Sequence, residues 1–179
     1  MRFIQDRFFC RCGDELMALA ERMADTFRDG GRILIFGTGT SGHVARILAN
    51  GLTHGLDVDR PPLPAVALNC DAALLGVLAD KTSAGELFTR QIEALGGKGD
   101  MALAFSWDGD SPATLGGLAR ARETGMHTAA ILGRDGGKIK NYTGRVLVVE
   151  AKRQARIHEV HLVAAQMLIQ FVERRLFPA

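Results

Sequence analysis

The chain is poor in the features that mark membrane, nucleic-acid-binding or disulfide-built proteins. Its 179 residues contain no apolar run near the roughly 20 residues that cross a bilayer, so no membrane helix is predicted. Arg2, Asp6 and Arg7 interrupt the first residues, which leaves no signal-peptide core, and a cytoplasmic location is expected. Basic and acidic side chains nearly cancel, 22 against 20 for a net charge of +2, so no field favours direct contact with nucleic acid or a membrane. Cysteines number three. Cys10 and Cys12 form C-x-C, too close for an ordinary helical disulfide, Cys70 stands alone, and no second Cys or His pair completes a zinc pattern. All three are read as reduced, partly buried thiols.

What is present fits a globular protein with a substantial core: 47% of residues are hydrophobic and 23% charged. One domain is expected over residues 1–179, with an N-terminal helical segment at 1–28 and an α/β core at 29–179. The spacing of Phe9, Leu16, Leu19, Ala20, Met23 and Phe27 predicts one long helix, or two broken near Gly13. Short apolar runs at 33–36, 65–68, 100–105, 127–132 and 145–150 predict five strands. Helical stretches at 40–53, 72–78, 86–95, 112–125 and 154–176 separate or follow them, the 112–125 helix opening on an N-cap Ser111 and Pro112. Strands alternating with helices imply a parallel sheet covered on both faces, with ligands at the carboxyl ends of the strands.

Two turns lie at those ends. In the first, Gly37, Gly39 and Gly42 allow close backbone approach while Thr38, Thr40 and Ser41 supply hydroxyls where a helix begins, a geometry suited to an anion. The second runs from Ser106 through Trp107, Asp108, Gly109 and Asp110 to Ser111. His158 and His161 share the last helix, where His161 falls on the apolar stripe and is read as a hydrogen-bonded structural residue.

These signals together resemble the SIS (sugar isomerase) domain and, within it, the phosphoheptose isomerase group. The likeness is carried by residues 36–41, 60–68, 88–95, 99–100, 133–138 and 155–161, in the family's order. The ending Leu176-Phe177-Pro178 looks like the branch that includes the DnaA initiator-associating protein, a homotetrameric scaffold for the replication initiator. The resemblance implies a three-layer α/β/α sandwich with a flavodoxin-like five-stranded parallel sheet and an N-terminal helix used in oligomerisation. It also implies a homotetramer and a sugar-phosphate ligand, with no membrane or direct nucleic-acid partner.

The family's isomerases interconvert sedoheptulose 7-phosphate and the manno-heptose 7-phosphate with a carboxylate and a histidine, some with zinc. Their His and Glu on the helix after the glycine turn correspond to Ile47 and Gly51, neither of which accepts a proton. Their Gln and His on the final helix correspond to His158 and Gln166, so the two residue types are exchanged. The resemblance therefore implies His158 and Gln166 as catalytic candidates and Thr38, Gly39, Thr40, Ser41, Asp80, Ser106, Trp107 and Ser111 as substrate- or phosphate-binding ones. No metal site and no cofactor are expected, because the zinc-ligand positions are largely unmatched. Asp108 and Asp110 stand where the family's phosphate loop carries Ser and Asn, so weakened phosphate binding is expected. The expected function is a sugar-phosphate-binding protein without the usual isomerase residues, acting as a binding or scaffold protein, with a replication initiator as a candidate partner. The alternative is a sedoheptulose 7-phosphate isomerase with a rearranged site, His158 as base and Asp80 or Asp71 as carboxylate.

Overall fold

A computed structural model of the chain describes residues 2–69, 73, 76, 77 and 84–178. Cys70, Asp71 and Asp80, most of the helix expected at 72–78 and much of the loop before Gly85 lie outside the described residues. In chain order the elements are α1 (Arg2–Arg28), β1 (Ile33–Phe36), α2 (Thr40–His54), β2 (Ala65–Ala67), a 3-10 turn (Ala84–Glu86) and α3 (Thr89–Leu95). There follow β3 (Met101–Ser106), α4 (Pro112–Glu123), β4 (His127–Gly133), a second 3-10 turn (Ile139–Asn141), β5 (Arg145–Val149) and α5 (Gln154–Leu176).

The five strands form one parallel sheet, as the alternation of strands and helices predicts, in the order β2-β1-β3-β4-β5, a flavodoxin-like sandwich as the resemblance implies. Because successive strand residues face opposite sides, each strand feeds two cores. Ile33 and Ile35 of β1 pack with Leu103, Phe105 and Ile131 beneath α1, α2 and α5. Leu34 and Phe36 pack with Ala102, Ala104 and Leu132 beneath α3 and α4, where Phe36 and Phe88 approach to 4.8 Å between ring centroids.

One open alternative is settled and two local expectations change. α1 is unbroken: Gly13 meets no neighbour, and the buried stripe of Phe8, Cys12, Leu16, Leu19 and Met23 runs past it. That stripe lies on α1's own chain, against α5 and β5, with Arg11 Nη2 donating to Val148 O at 2.7 Å and Arg7 donating to Glu150 O. β2 is not a fully covered strand. Among the described residues it pairs with β1 alone, and Val66 is 41% exposed, as an edge position allows. The helix expected from Glu86 starts at Thr89, Glu86 belonging to the 3-10 turn. Cys10 is exposed, Cys12 is buried, and both are free thiols. Among the described residues no helix is long and apolar enough to cross a membrane.

α2 and α5 are joined at their far ends by a buried ion pair between Arg60 and Glu173, Nε to Oε1 3.0 Å, each side chain 1% exposed. Glu173 also accepts the backbone N–H groups of Leu56 (2.8 Å) and Asp57 (3.3 Å). Arg60 donates to the carbonyls of Gly51, Leu52 and Pro61 at 2.9, 2.8 and 3.1 Å, and its guanidinium lies 5.6 Å from the Phe177 ring centroid. Removing one member strands a buried charge. Arg60→Met is expected to cost about 3–5 kcal/mol by urea unfolding, with wild-type stability in that variant contradicting this account of the pair.

Candidate functional site

At the carboxyl end of β1 the chain turns through Gly37, whose backbone is clasped by Asn69: Nδ2 donates to Gly37 O at 2.5 Å and Gly37 N donates to Oδ1 at 3.3 Å. A Cβ at Gly37 would stand 2.5 Å from Phe105 O, so the turn closes only with glycine there. Gly39, at φ 57 and ψ −131, then caps α2 without any side-chain hydrogen bond, and α2's first turn carries no acidic residue. Its amide end is open to an anion.

The two turns touch where Thr38 Oγ1 donates to Ser111 Oγ at 3.3 Å. Ser111 caps α4 as the sequence predicts, its Oγ accepting Thr114 N at 3.3 Å and Thr114 Oγ1 at 3.2 Å. Ser106, 3% exposed, faces into the turn rather than the cleft. Trp107 is half-buried against the core, with the Arg134 guanidinium 5.7 Å from its ring centroid.

Beside the first turn α2 and α5 enclose a cleft of about 620 Å³. Thr40, His43, Val44 and Ile47 form one wall, and Gln154, Ala155, His158, Glu159 and Leu162 the other. Ser41, 1% exposed, lies beneath, its Oγ 3.3 Å from His158 Nε2. Burial holds the His158 pKa below its ordinary value, so the ring is neutral near pH 7 and able to accept a proton. Glu159 is held by Arg156 at 2.7 Å.

Of the expected residues, Thr38, Gly39, Thr40, Ser41, Ser111 and His158 gather around the α2 turn and its cleft. Gln166 does not line the cleft; it sits eight residues beyond His158, about 12 Å along α5. His43 and Glu159 line it although neither is among the expected site residues, and the helical spacing of Glu159 from Ala155 and Leu162 is the signal that would have placed it.

Ile47 presents its apolar side chain to the cleft, and Gly51 has no room for a side chain: its Cβ would lie 2.2 Å from Ile169 Cδ1. Neither position can ligate a cation, and the described residues hold no group of three or more His, Cys, Asp or Glu placed for a metal ion. Among the described residues, the side chains that line the cleft do not make a donor set that fits zinc.

His161 is fully buried, as its stripe position implies; neither ring nitrogen makes a hydrogen bond of ordinary geometry, and the Leu132 backbone is a polar group that acts on the ring. It lies 5.7 Å from Phe105 and 6.1 Å from His158, ring centroid to ring centroid. Burial, reinforced by His158 and only partly offset by the Leu132 backbone, pushes its pKa down to about 3.

The architecture and the turn-and-cleft arrangement define a sugar isomerase domain, and the SIS domain family profile matches residues 2–133. The chain belongs to this family. Among its relatives are phosphoheptose isomerases. That of Roseiflexus sp. (strain RS-1) is 36% identical over 162 residues, 90% of this chain and 82% of the relative. That of Chlorobaculum parvum is 39% identical over 166 residues, 91% and 79% of the two chains. The solved phosphoheptose isomerase of Neisseria gonorrhoeae superposes with a TM-score of 0.85 at 29% identity, covering 94% of this chain and 92% of its own.

The packing of α2 and α5 has two measurable consequences. Gly51→Ala is expected to lose about 1–3 kcal/mol through overpacking against Ile169, part of which Ile169→Ala restores in the double variant; equal urea midpoints for Gly51→Ala and wild type would contradict the contact. His161 titrates near 6.5 when unfolded and about 3 when folded, so the unfolded chain binds the extra proton and stability declines as pH falls through that window. The expected slope is about 1.4 kcal/mol per pH unit below that unfolded value, and His161→Leu flattens it in unfolding curves taken between about pH 7.5 and 5. An unchanged slope would mean that His161 is not the group responsible.

Proposed function

We propose that the chain is a sugar-phosphate isomerase of the phosphoheptose kind with a rearranged, metal-independent site, sedoheptulose 7-phosphate being the first substrate to test. The observation that carries this reading is the His158–Ser41 pair at the wall of the cleft. The names borne by its relatives support the substrate class.

Isomerisation of a ketose to an aldose removes a proton from C1, forms an enediol and returns a proton to C2. Neutral His158 takes the proton from C1 as base and, as imidazolium, returns it to C2 as acid, while the hydroxyl proton of O1 passes to O2. If Nε2–H donates to Ser41 Oγ, the Nδ1 lone pair is left for the carbon-bound proton. Charge developing on the substrate oxygen is met by the uncapped amide end of α2. The same end is the place for the phosphate or for the oxyanion, since no acidic residue opposes it. Ile47 and Gly51 supply no ligand, so the proposed chemistry runs on imidazole, hydroxyl and amide groups alone. A cytoplasmic homotetramer fits this reading.

A second reading, a binding or scaffold protein for a partner such as a replication initiator, is favoured by the apolar filling at Ile47 and Gly51. Assay of the full chain with sedoheptulose 7-phosphate separates the two. Turnover is expected, and His158→Ala is expected to lower kcat by about 10²–10⁴ with a smaller change in KM. Absence of turnover, together with no rise in melting temperature at millimolar sugar phosphate, overturns the isomerase reading.

A further inference from the structure

The proposed isomerisation moves two protons, and His158 accounts for one of them. Once its ring holds the proton from C1, charge stands on O2 of the substrate, and the aldose forms only when O2 has gained a proton and O1 has lost one. His158 is then an imidazolium whose Nε2 faces Ser41 Oγ at 3.3 Å and whose Nδ1 carries the proton taken from carbon. The oxygens therefore need a second group, one that gives a proton to O2 and takes one from O1.

The cleft walls narrow the choice. On α5, Glu159 has Oε1 held by Arg156 Nη2 at 2.7 Å, and its Oε2 is buried. Gln154 and Thr40 can hydrogen-bond to a sugar, but neither an amide nor an aliphatic hydroxyl readily gives up and regains a proton near neutral pH. On α2, Thr40, His43, Val44 and Ile47 follow one another at i, i+3, i+4 and i+7, so they share the face that forms the wall opposite His158. His43 is exposed on that face, and among the described residues its ring makes no hydrogen bond or ion pair. Val44 and Ile47 beside it and Leu162 on the other wall are apolar. A sugar between the walls thus meets two imidazoles, one from each helix.

We propose that His43 is a second catalytic residue of the cleft, passing the hydroxyl proton between O1 and O2 while His158 passes the carbon proton between C1 and C2. The proposal rests on the isomerase reading. As His158 takes the proton from C1, the C1–H electron pair becomes the C1–C2 double bond and the C2–O2 π pair moves to O2, which takes the N–H proton of His43. The same His43 nitrogen then takes the proton of O1. The O1–H pair becomes the C1–O1 π bond, and the C1–C2 double-bond pair takes the proton of the His158 imidazolium at C2. Both rings end as they began. Without His43, the charge on O2 is still met by the uncapped amide end of α2, so the carbon step continues while the transfer between the oxygens does not.

NMR of the full chain with sedoheptulose 7-phosphate in D2O separates the two protons. Deuterium entering C1 of the unconverted ketose reports the carbon step, since half-buried His158 exchanges its proton with solvent, and appearance of the aldose reports both steps. His43→Ala and His43→Gln are expected to convert the ketose about 10²-fold more slowly than wild type while deuterium entry falls by less than about tenfold, so the ratio of entry to conversion rises; His158→Ala loses both. Melting temperatures of the His43 variants are expected to match wild type, the side chain being exposed. A ratio unchanged from wild type in folded His43→Ala, or conversion within about twofold of wild type, overturns the proposal and leaves the isomerase reading standing; where His43→Ala does not fold, His43→Gln is judged in the same way. Wild type that shows neither deuterium entry nor conversion overturns the isomerase reading and the proposal with it.

Discussion

The buried ion pair between Arg60 and Glu173 governs how the two walls of the cleft stand relative to one another. Burying two charges is costly, and the arrangement holds because nearly every valence is used: both carboxylate oxygens accept hydrogen bonds and the guanidinium reaches three carbonyls. Those carbonyls belong to the last turn of α2 and the connector after it, so Arg60 ends one helix while Glu173 anchors another. The pair works as a register pin. A hydrophobic substitute could fill the same volume but could not specify which turn of α2 faces which turn of α5.

The consequence is visible along the two helices, which run side by side in the same direction and meet at three levels. Ser41 meets His158, Gly51 meets Ile169, and the carbonyls of Gly51 and Leu52 meet Glu173 through Arg60. From Ser41 to Gly51 is about 15 Å and from His158 to Ile169 about 17 Å along the helices, so the levels keep step. A small residue at Gly51 lets Ile169 press in, which brings the helices close. A larger residue at position 51 would press on Ile169 and push the two helices apart.

Much of the fold was legible because its signals are local. Apolar runs at β1 and β3, the glycine turn, the Ser111-Pro112 start of α4 and the stripe of α5 each announce themselves within a few residues. The exposure of Val66 was not, since whether an apolar strand lies at the centre or the edge depends on strand order. The Arg60–Glu173 pair spans 113 positions and the Asn69 clasp on Gly37 spans 32, separations that no periodicity encodes. His161 shows the limit from another side. Its stripe position indicates burial, but whether a buried ring finds a hydrogen-bond partner depends on the ångström-scale placement of Leu132 and its neighbours. In the site itself, the family correspondence brings forward both His158 and Gln166, and only the cleft's position at the amino end of α5 distinguishes them.

Two of the helix amino ends that face the carboxyl edge of the sheet, those of α2 and α4, start from the same physics and are finished oppositely. Each follows a strand and a tight turn, and each presents partial positive charge where ligands collect. At α2 the finishing residue is glycine, which adds backbone freedom and no side-chain acceptor, so no side chain caps the amide end. At α4 it is serine preceded by Asp108 and Asp110, so hydroxyl, amides and dipole are answered from within the chain. The two ends meet where Thr38 Oγ1 donates to Ser111 Oγ, so an amide end without a side-chain cap stands against one whose capping serine is already engaged.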